Sequence, residues 1–157
     1  MNEAIIRRHN SVVSADDDVY VLGDLTLGDH AAGAEYIKRM KGRLHIVLGN
    51  HDTSAREAMY RELPNVVEVK EAIRLKVGKY HLFLTHFPCM TGNLEKESLT
   101  QTTCNLFGHT HQRTNFYNDI PFMYHVGVDS HECCPVDFET VVAQMQDEVK
   151  KCLSFLE

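Results

Sequence analysis

Tryptophan is absent from this 157-residue chain, proline occurs only four times, and no apolar stretch extends beyond a few residues. A membrane-crossing helix needs about 20 consecutive apolar residues, so that class is excluded. Basic side chains are outnumbered, 16 Lys and Arg against 22 Asp and Glu, with no run of them able to track a phosphate backbone. Duplex nucleic-acid binding by charge is therefore not expected. The five cysteines, Cys89, Cys104, Cys133, Cys134 and Cys152, are odd in number and form no C-x-x-C pair, which reads as reduced thiols, neither a disulfide framework nor a zinc ribbon. The opening Met1-Asn2-Glu3 lacks the charged and apolar regions of a secretory leader, and a cytoplasmic location is the expectation. No repeat, low-complexity tract or linker divides the chain, which is read as one domain over residues 1–157. What is present is a globular composition, 43% hydrophobic and 24% charged, with ten histidines.

The placement of those histidines follows from the order of elements. Residues 2–13 carry Ile5, Ile6, Val12 and Val13 between polar positions and predict a short helix. An apolar run at 19–22 predicts a strand that stops at Gly23-Asp24. In residues 30–41, Ala34, Ile37 and Met40 share a helical face and Gly42 supplies a stop. A second strand run, 44–48, stops at Gly49-Asn50-His51-Asp52. Ser54-Ala55-Arg56-Glu57 has capping-box spacing, predicting a helix to Leu63 closed by Pro64. Ile73, Leu75 and Val77 alternate with Arg74 and Lys76, and Gly78-Lys79 turns the chain into a returning strand at 80–85, a hairpin. Residues 91–103 read as a loop forming part of a substrate rim, residues 105–107 as a brief strand before Gly108-His109-Thr110-His111, and residues 122–128 as another strand. The stripe Val141, Val142, Met145, Val149, Cys152, Leu153 and Leu156 makes 139–156 a core helix in an α/β chain.

Four strand runs thus end in metal-capable groups: Asp24, Asn50, His86, and His109 with His111. The carboxyl ends of strands in open α/β sheets share an edge where ligands bind, so these five side chains can converge. Aspartate, asparagine and imidazole suit manganese, iron, zinc, cobalt or nickel, whereas calcium wants an oxygen cage. Period-2 spacing puts His109 and His111 on one side of an extended backbone.

In this order, Gly23-Asp24, Gly49-Asn50-His51-Asp52, Thr85-His86 and Gly108-His109-Thr110-His111 resemble the motifs of the calcineurin-like metallophosphoesterases, small bacterial and phage members in particular. The resemblance implies an αββα four-layer sandwich around a binuclear metal centre, manganese foremost. Such a centre hydrolyses a small phosphomonoester or phosphodiester by attack of a metal-bridged hydroxide. Asp24 would bridge both ions, Asn50, His86 and His109 would complete the second site, and His111 would belong to the first. His51 would face the substrate phosphate, oriented by Asp52, as a general acid or charge stabiliser.

One departure qualifies the resemblance. Family members open with a strand followed by Asp-x-His, and nothing before Gly23-Asp24 matches it. The expectation is a sandwich lacking its first strand, with one ion held tightly and only Asp24 and His111 at the other position. The bared edge of strand 19–22 would then offer a route to self-association. A non-catalytic metal-binding or protein-binding scaffold of the same fold is the alternative. His51, which is not a ligand, favours the enzyme.

Overall fold

The computed structural model describes residues 2–92 and 98–154. Its elements run α1 (Asn2–Val12), β1 (Asp18–Leu22), α2 (His30–Lys38), β2 (Arg43–Val47), α3 (Ser54–Arg61), β3 (Val66–Lys70), β4 (Ala72–Val77), β5 (Tyr80–Thr85), β6 (Thr103–Phe107), β7 (Met123–His125) and α4 (Phe138–Ser154). β1, β2 and β3 form a parallel sheet in that order, with β1 at one edge. β4 to β7 form a second sheet, antiparallel between β4 and β5 and parallel from β5 through β7. The two-sheet α/β sandwich expected from the motifs is therefore present.

Strand alternation builds two cores from β1 and β2. Val19, Val21, Leu44 and Ile46 point to one side and pack with Ile37 of α2, Tyr60 of α3 and Val69 of β3. Tyr20, Leu22 and Val47 point to the other and join Leu82, Leu84, Cys104, Leu106 and Tyr124 of the second sheet, together with Val141 and Met145 of α4. Leu44, Ile46, Val47 and Tyr124 are fully buried. Each large aliphatic side chain buried in this way contributes about 1.5–3 kcal/mol, and the shared middle layer fixes the two sheets to each other. α1 is tied to the end of α2, where buried His9 meets the Lys41 carbonyl at 2.8 Å and Arg39 pairs with Glu3.

The hairpin is as expected, with Val77 opposite Tyr80 and Gly78 at φ +57° in the first turn position. Other boundaries need correction. The cap of α3 is Thr53, whose side chain accepts from Arg56 N, so the helix begins one residue before the place the Ser54–Glu57 spacing implies. α2 ends at Lys38, three residues early, because the chain turns through Met40 to Gly42 at φ +92°, where a side chain would collide with Val19 and Val13. β7 covers three residues where a strand over 122–128 was expected; beyond His125 the chain turns, with Ser130 N donating to Gly127 O and Cys133 N to Val128 O. β3 had no counterpart in the sequence reading, since Glu68 and Lys70 interrupt its short apolar pattern. Within 91–103, residues 93–97 lie outside the described residues, as does Leu156 of the expected C-terminal stripe. All five cysteines are free. Among the described residues no helix is long and apolar enough to cross a membrane.

Candidate functional site

The site is assembled by loops that leave the carboxyl ends of β1, β2, β5 and β6. Parallel pairing brings those ends level within each sheet, and His86 joins one sheet to the other: its Nδ1 lies 2.8 Å from the carbonyl oxygen of Leu22, the last residue of β1. A carbonyl only accepts, so this nitrogen carries the proton and donates. The opposite nitrogen, Nε2, is thereby left as an acceptor in the neutral ring. It faces Asn50 Oδ1 at 2.9 Å, His109 Nδ1 at 3.1 Å and Asp24 Oδ2 at 3.4 Å. His109 Nδ1 is also 2.9 Å from Asn50 Oδ1. Four of the five sequence-predicted ligands, Asp24, Asn50, His86 and His109, are thus brought together.

Small residues make the approach possible. A Cβ on Gly49 would stand 2.2 Å from Asp24 Oδ1, one on Gly23 2.2 Å from His86 Nδ1, and one on Gly108 2.8 Å from Leu22 O. Asp24, His109 and His111 adopt positive φ, at 53°, 58° and 46°. Such a conformation costs a non-glycine residue of order 1–3 kcal/mol and concentrates at functional positions. The ring of exposed Phe87 flanks both histidines, with centroids 5.0 Å from His86 and 4.6 Å from His109.

The fifth predicted ligand stands apart. His111 is largely exposed and its Nδ1 is 2.8 Å from Asp129 Oδ2. Asp129 has no part in the sequence-predicted set; its role as partner to His111 is a tertiary contact between residues 18 apart. Behind it, buried His125 bonds Ser130 Oγ at 3.0 Å. Burial, reinforced by neighbouring His131, pushes the His125 imidazole down to about 4 and keeps it neutral.

His51 and Asp52 sit in the turn after β2. The His51 amide donates to Asp24 Oδ1 at 2.9 Å. The Asp52 carboxylate accepts from Asp24 N at 2.9 Å, Gly49 N at 2.8 Å and Tyr60 Oη at 2.8 Å. Burial holds the Tyr60 hydroxyl protonated, well above its ordinary range, so it remains a donor to Asp52. Asp52 therefore locks the β1 loop to the β2 loop. Tyr60, which bonds Asp52, and Arg56, which bonds the carbonyls of His51 and Gly28, read in the sequence only as helix residues.

Among the described residues, no three His, Cys, Asp or Glu side chains form a group able to hold a metal by themselves. The converging set depends on the Asn50 amide oxygen and is drawn in to hydrogen-bond distances. Its chemistry nevertheless fits a divalent ion: carboxylate, amide oxygen and two imidazoles, with the His86 lone pair directed at the other three by the Leu22 bond.

Residues 2–128 match the model of the calcineurin-like phosphoesterase superfamily domain. The chain belongs to that superfamily. It is 30% identical over 148 residues to the gene 66 protein of Mycobacterium phage L5, covering 77% of this chain and 70% of the phage protein. Protein MJ1445 of Methanocaldococcus jannaschii is 27% identical over 150 residues, 90% of this chain and 73% of its own. The crystal structure of AQ665 from Aquifex aeolicus superposes with a TM-score of 0.65 at 18% identity, covering 90% of this chain and 83% of that one, and shows a shared fold.

Proposed function

We propose that this superfamily member is a metal-dependent hydrolase of phosphomonoesters or phosphodiesters. The observation that supports this reading best is the meeting of Asp24, Asn50, His86 and His109 at the ends of four strands from two sheets, with the His86 tautomer set by Leu22. Those four would hold one divalent ion, manganese foremost, and Asp24 with His111 would contribute to a second. Ions bound there supply Lewis-acid charge and lower the pKa of water. The remaining work falls to the protein. Asp24 seats its carboxylate in the space that Gly49, having no side chain, leaves open, and the His51 amide holds it there. His51 gives a proton to the departing oxygen or faces the phosphoryl oxygens as an imidazolium, and the peptide on which it rides is anchored to the ligand Asp24. His111 keeps its orientation through Asp129, as carboxylate–histidine pairs do around metals.

Hydrolysis of bis(p-nitrophenyl) phosphate and p-nitrophenyl phosphate by chelator-treated protein, with and without added manganese, tests the proposal. Activity restored by manganese is the expected result. Equal turnover in the metal-stripped protein would overturn the reading.

A further inference from the structure

Arg56, in the first turn of α3, is buried at 6% exposure, and among the described residues no carboxylate lies within ion-pair distance of it. A guanidinium taken out of water without a counter-charge is costly unless its N–H groups find acceptors. Two of them do: Nη1 donates to the His51 carbonyl at 2.6 Å and Nη2 to the Gly28 carbonyl at 3.2 Å, while buried Nε has no partner. Gly28 lies on the loop that carries Asp24, and His51 on the loop that carries Asn50. One rigid fork therefore clasps the two loops that bring half of the site. The consequence is sharpest at His51, whose N–H is fixed by Asp24 and whose C=O is fixed by Arg56. Only the side-chain torsions of His51 remain free. Asp52, to which sequence reasoning gave the task of orienting His51, directs its carboxylate to Asp24 N, Gly49 N and Tyr60 Oη.

We infer that Arg56 is the positioning residue for His51, holding the backbone so that the imidazole meets the phosphate ester. The inference rests on the phosphoesterase reading above. Lysine is not equivalent, because a single ammonium cannot span two carbonyls as a planar fork does.

The test combines R56K, H51A and the double variant, using bis(p-nitrophenyl) phosphate with manganese, manganese stoichiometry by elemental analysis, and NMR signals of the His51 amide and ring in metal-free protein. The expected result for R56K is unchanged manganese content, kcat lowered by about 10- to 100-fold with little change in KM, and displaced His51 signals. In the H51A background R56K should have no further effect on kcat. If R56K fails to fold, R56M, which fills similar space and donates to neither carbonyl, takes its place with the same expectations. Wild-type kcat in the variant, multiplicative losses in the double variant, or unmoved His51 signals would each overturn the inference. Where the wild type turns over only p-nitrophenyl phosphate, that substrate replaces the diester; should wild-type protein with manganese turn over neither, the phosphoesterase reading falls, and the NMR comparison still decides whether Arg56 holds His51.

Discussion

Two clusters on the parallel sheet carry similar kinds of residue in opposite arrangements. Across the sheet, from Asp18 and Arg43 at the starts of β1 and β2 to Lys70 at the end of β3, Arg43 forks onto Asp18 at 2.9 and 2.8 Å, His45 lies between Glu68 at 2.8 Å and Asp18 at 3.1 Å, and Lys70 pairs with Glu68. Asp18 and Glu68 each meet a base. Arg43, and then His45, hold the Asp18 carboxyl below its usual range, and Lys70 with His45 do the same for Glu68. At the carboxyl ends, the oxygen and nitrogen atoms of Asp24, Asn50, His86 and His109 come within 2.9–3.4 Å of one another, and among the described residues no Lys or Arg pairs with them; nearby Arg56 bonds backbone carbonyls instead. The first arrangement is complete in itself and ties three strands together. The second gathers metal-capable oxygen and nitrogen atoms on strained backbone with no cation paired to them among the described residues, an arrangement that a bound cation would suit. Identical residue types thus mean structure in one place and chemistry in the other, and complementarity of partners is what separates them.

Substitutions in the two clusters should therefore fail in opposite ways. The largest effect is expected from His109→Ala, which should abolish metal-dependent turnover while leaving the melting temperature of metal-free protein unchanged or raised. Manganese should lift the melting temperature of the wild type, by mass action on the folded state, and lift that of the variant less. A large fall in metal-free stability would show that the convergence is itself a structural network. His51→Ala should lower turnover by roughly 10²–10⁴, the scale of a lost general acid, with manganese content retained; loss of the metal as well would make His51 a ligand.

In the paired cluster, His45→Ala should leave turnover intact and cost about 1.5–3 kcal/mol, the range for hydrogen bonds to charged groups, read as a lower urea midpoint. The smallest effect belongs to His125, which faces His131, Asp129 and His111. Its folded-state pKa of about 4 lies below the ordinary value of 6.5, so the unfolded chain binds the extra proton between those values. Its contribution is present above pH 6.5 and is lost as pH falls toward 4, where protonation of the folded state stops the decline. The stability–pH slope of His125→Gln over that window should be shallower than wild type by up to one proton, and parallel slopes would show that His125 titrates normally.

Order along the chain carried much of this. Apolar runs at 19–22, 44–48 and 80–85 have strand length and end at Gly23, Gly49 and His86, and hydrophobic burial forces such runs inside whatever the topology. The ends of those runs, with that of the brief run at 105–107, therefore marked Asp24, Asn50, His86 and His109 from local pattern and resemblance, before any contact was known. Helix caps were less legible, because Thr53 and Ser54 are both good N-caps and the choice between them depends on where the preceding loop is held. β3 was invisible because Val66, Val67 and Val69 are a weak pattern in isolation and become a strand only by pairing with β2.

What the sequence could not carry are the contacts that depend on which nitrogen, oxygen or carbonyl faces another across space. The tautomer of His86 is decided by Leu22, 64 residues earlier. The partner of His111 is decided by the turn that follows β7. The office of Asp52 is decided by the amides of Asp24 and Gly49, and that of Arg56 by two carbonyls on separate loops. Sequence alone determined which side chains arrive at the strand ends, because burial and periodicity act on each segment separately. Tertiary structure decided what each of them does there, because hydrogen bonds are directional and short, and their partners come from segments that only the packed sheets bring together.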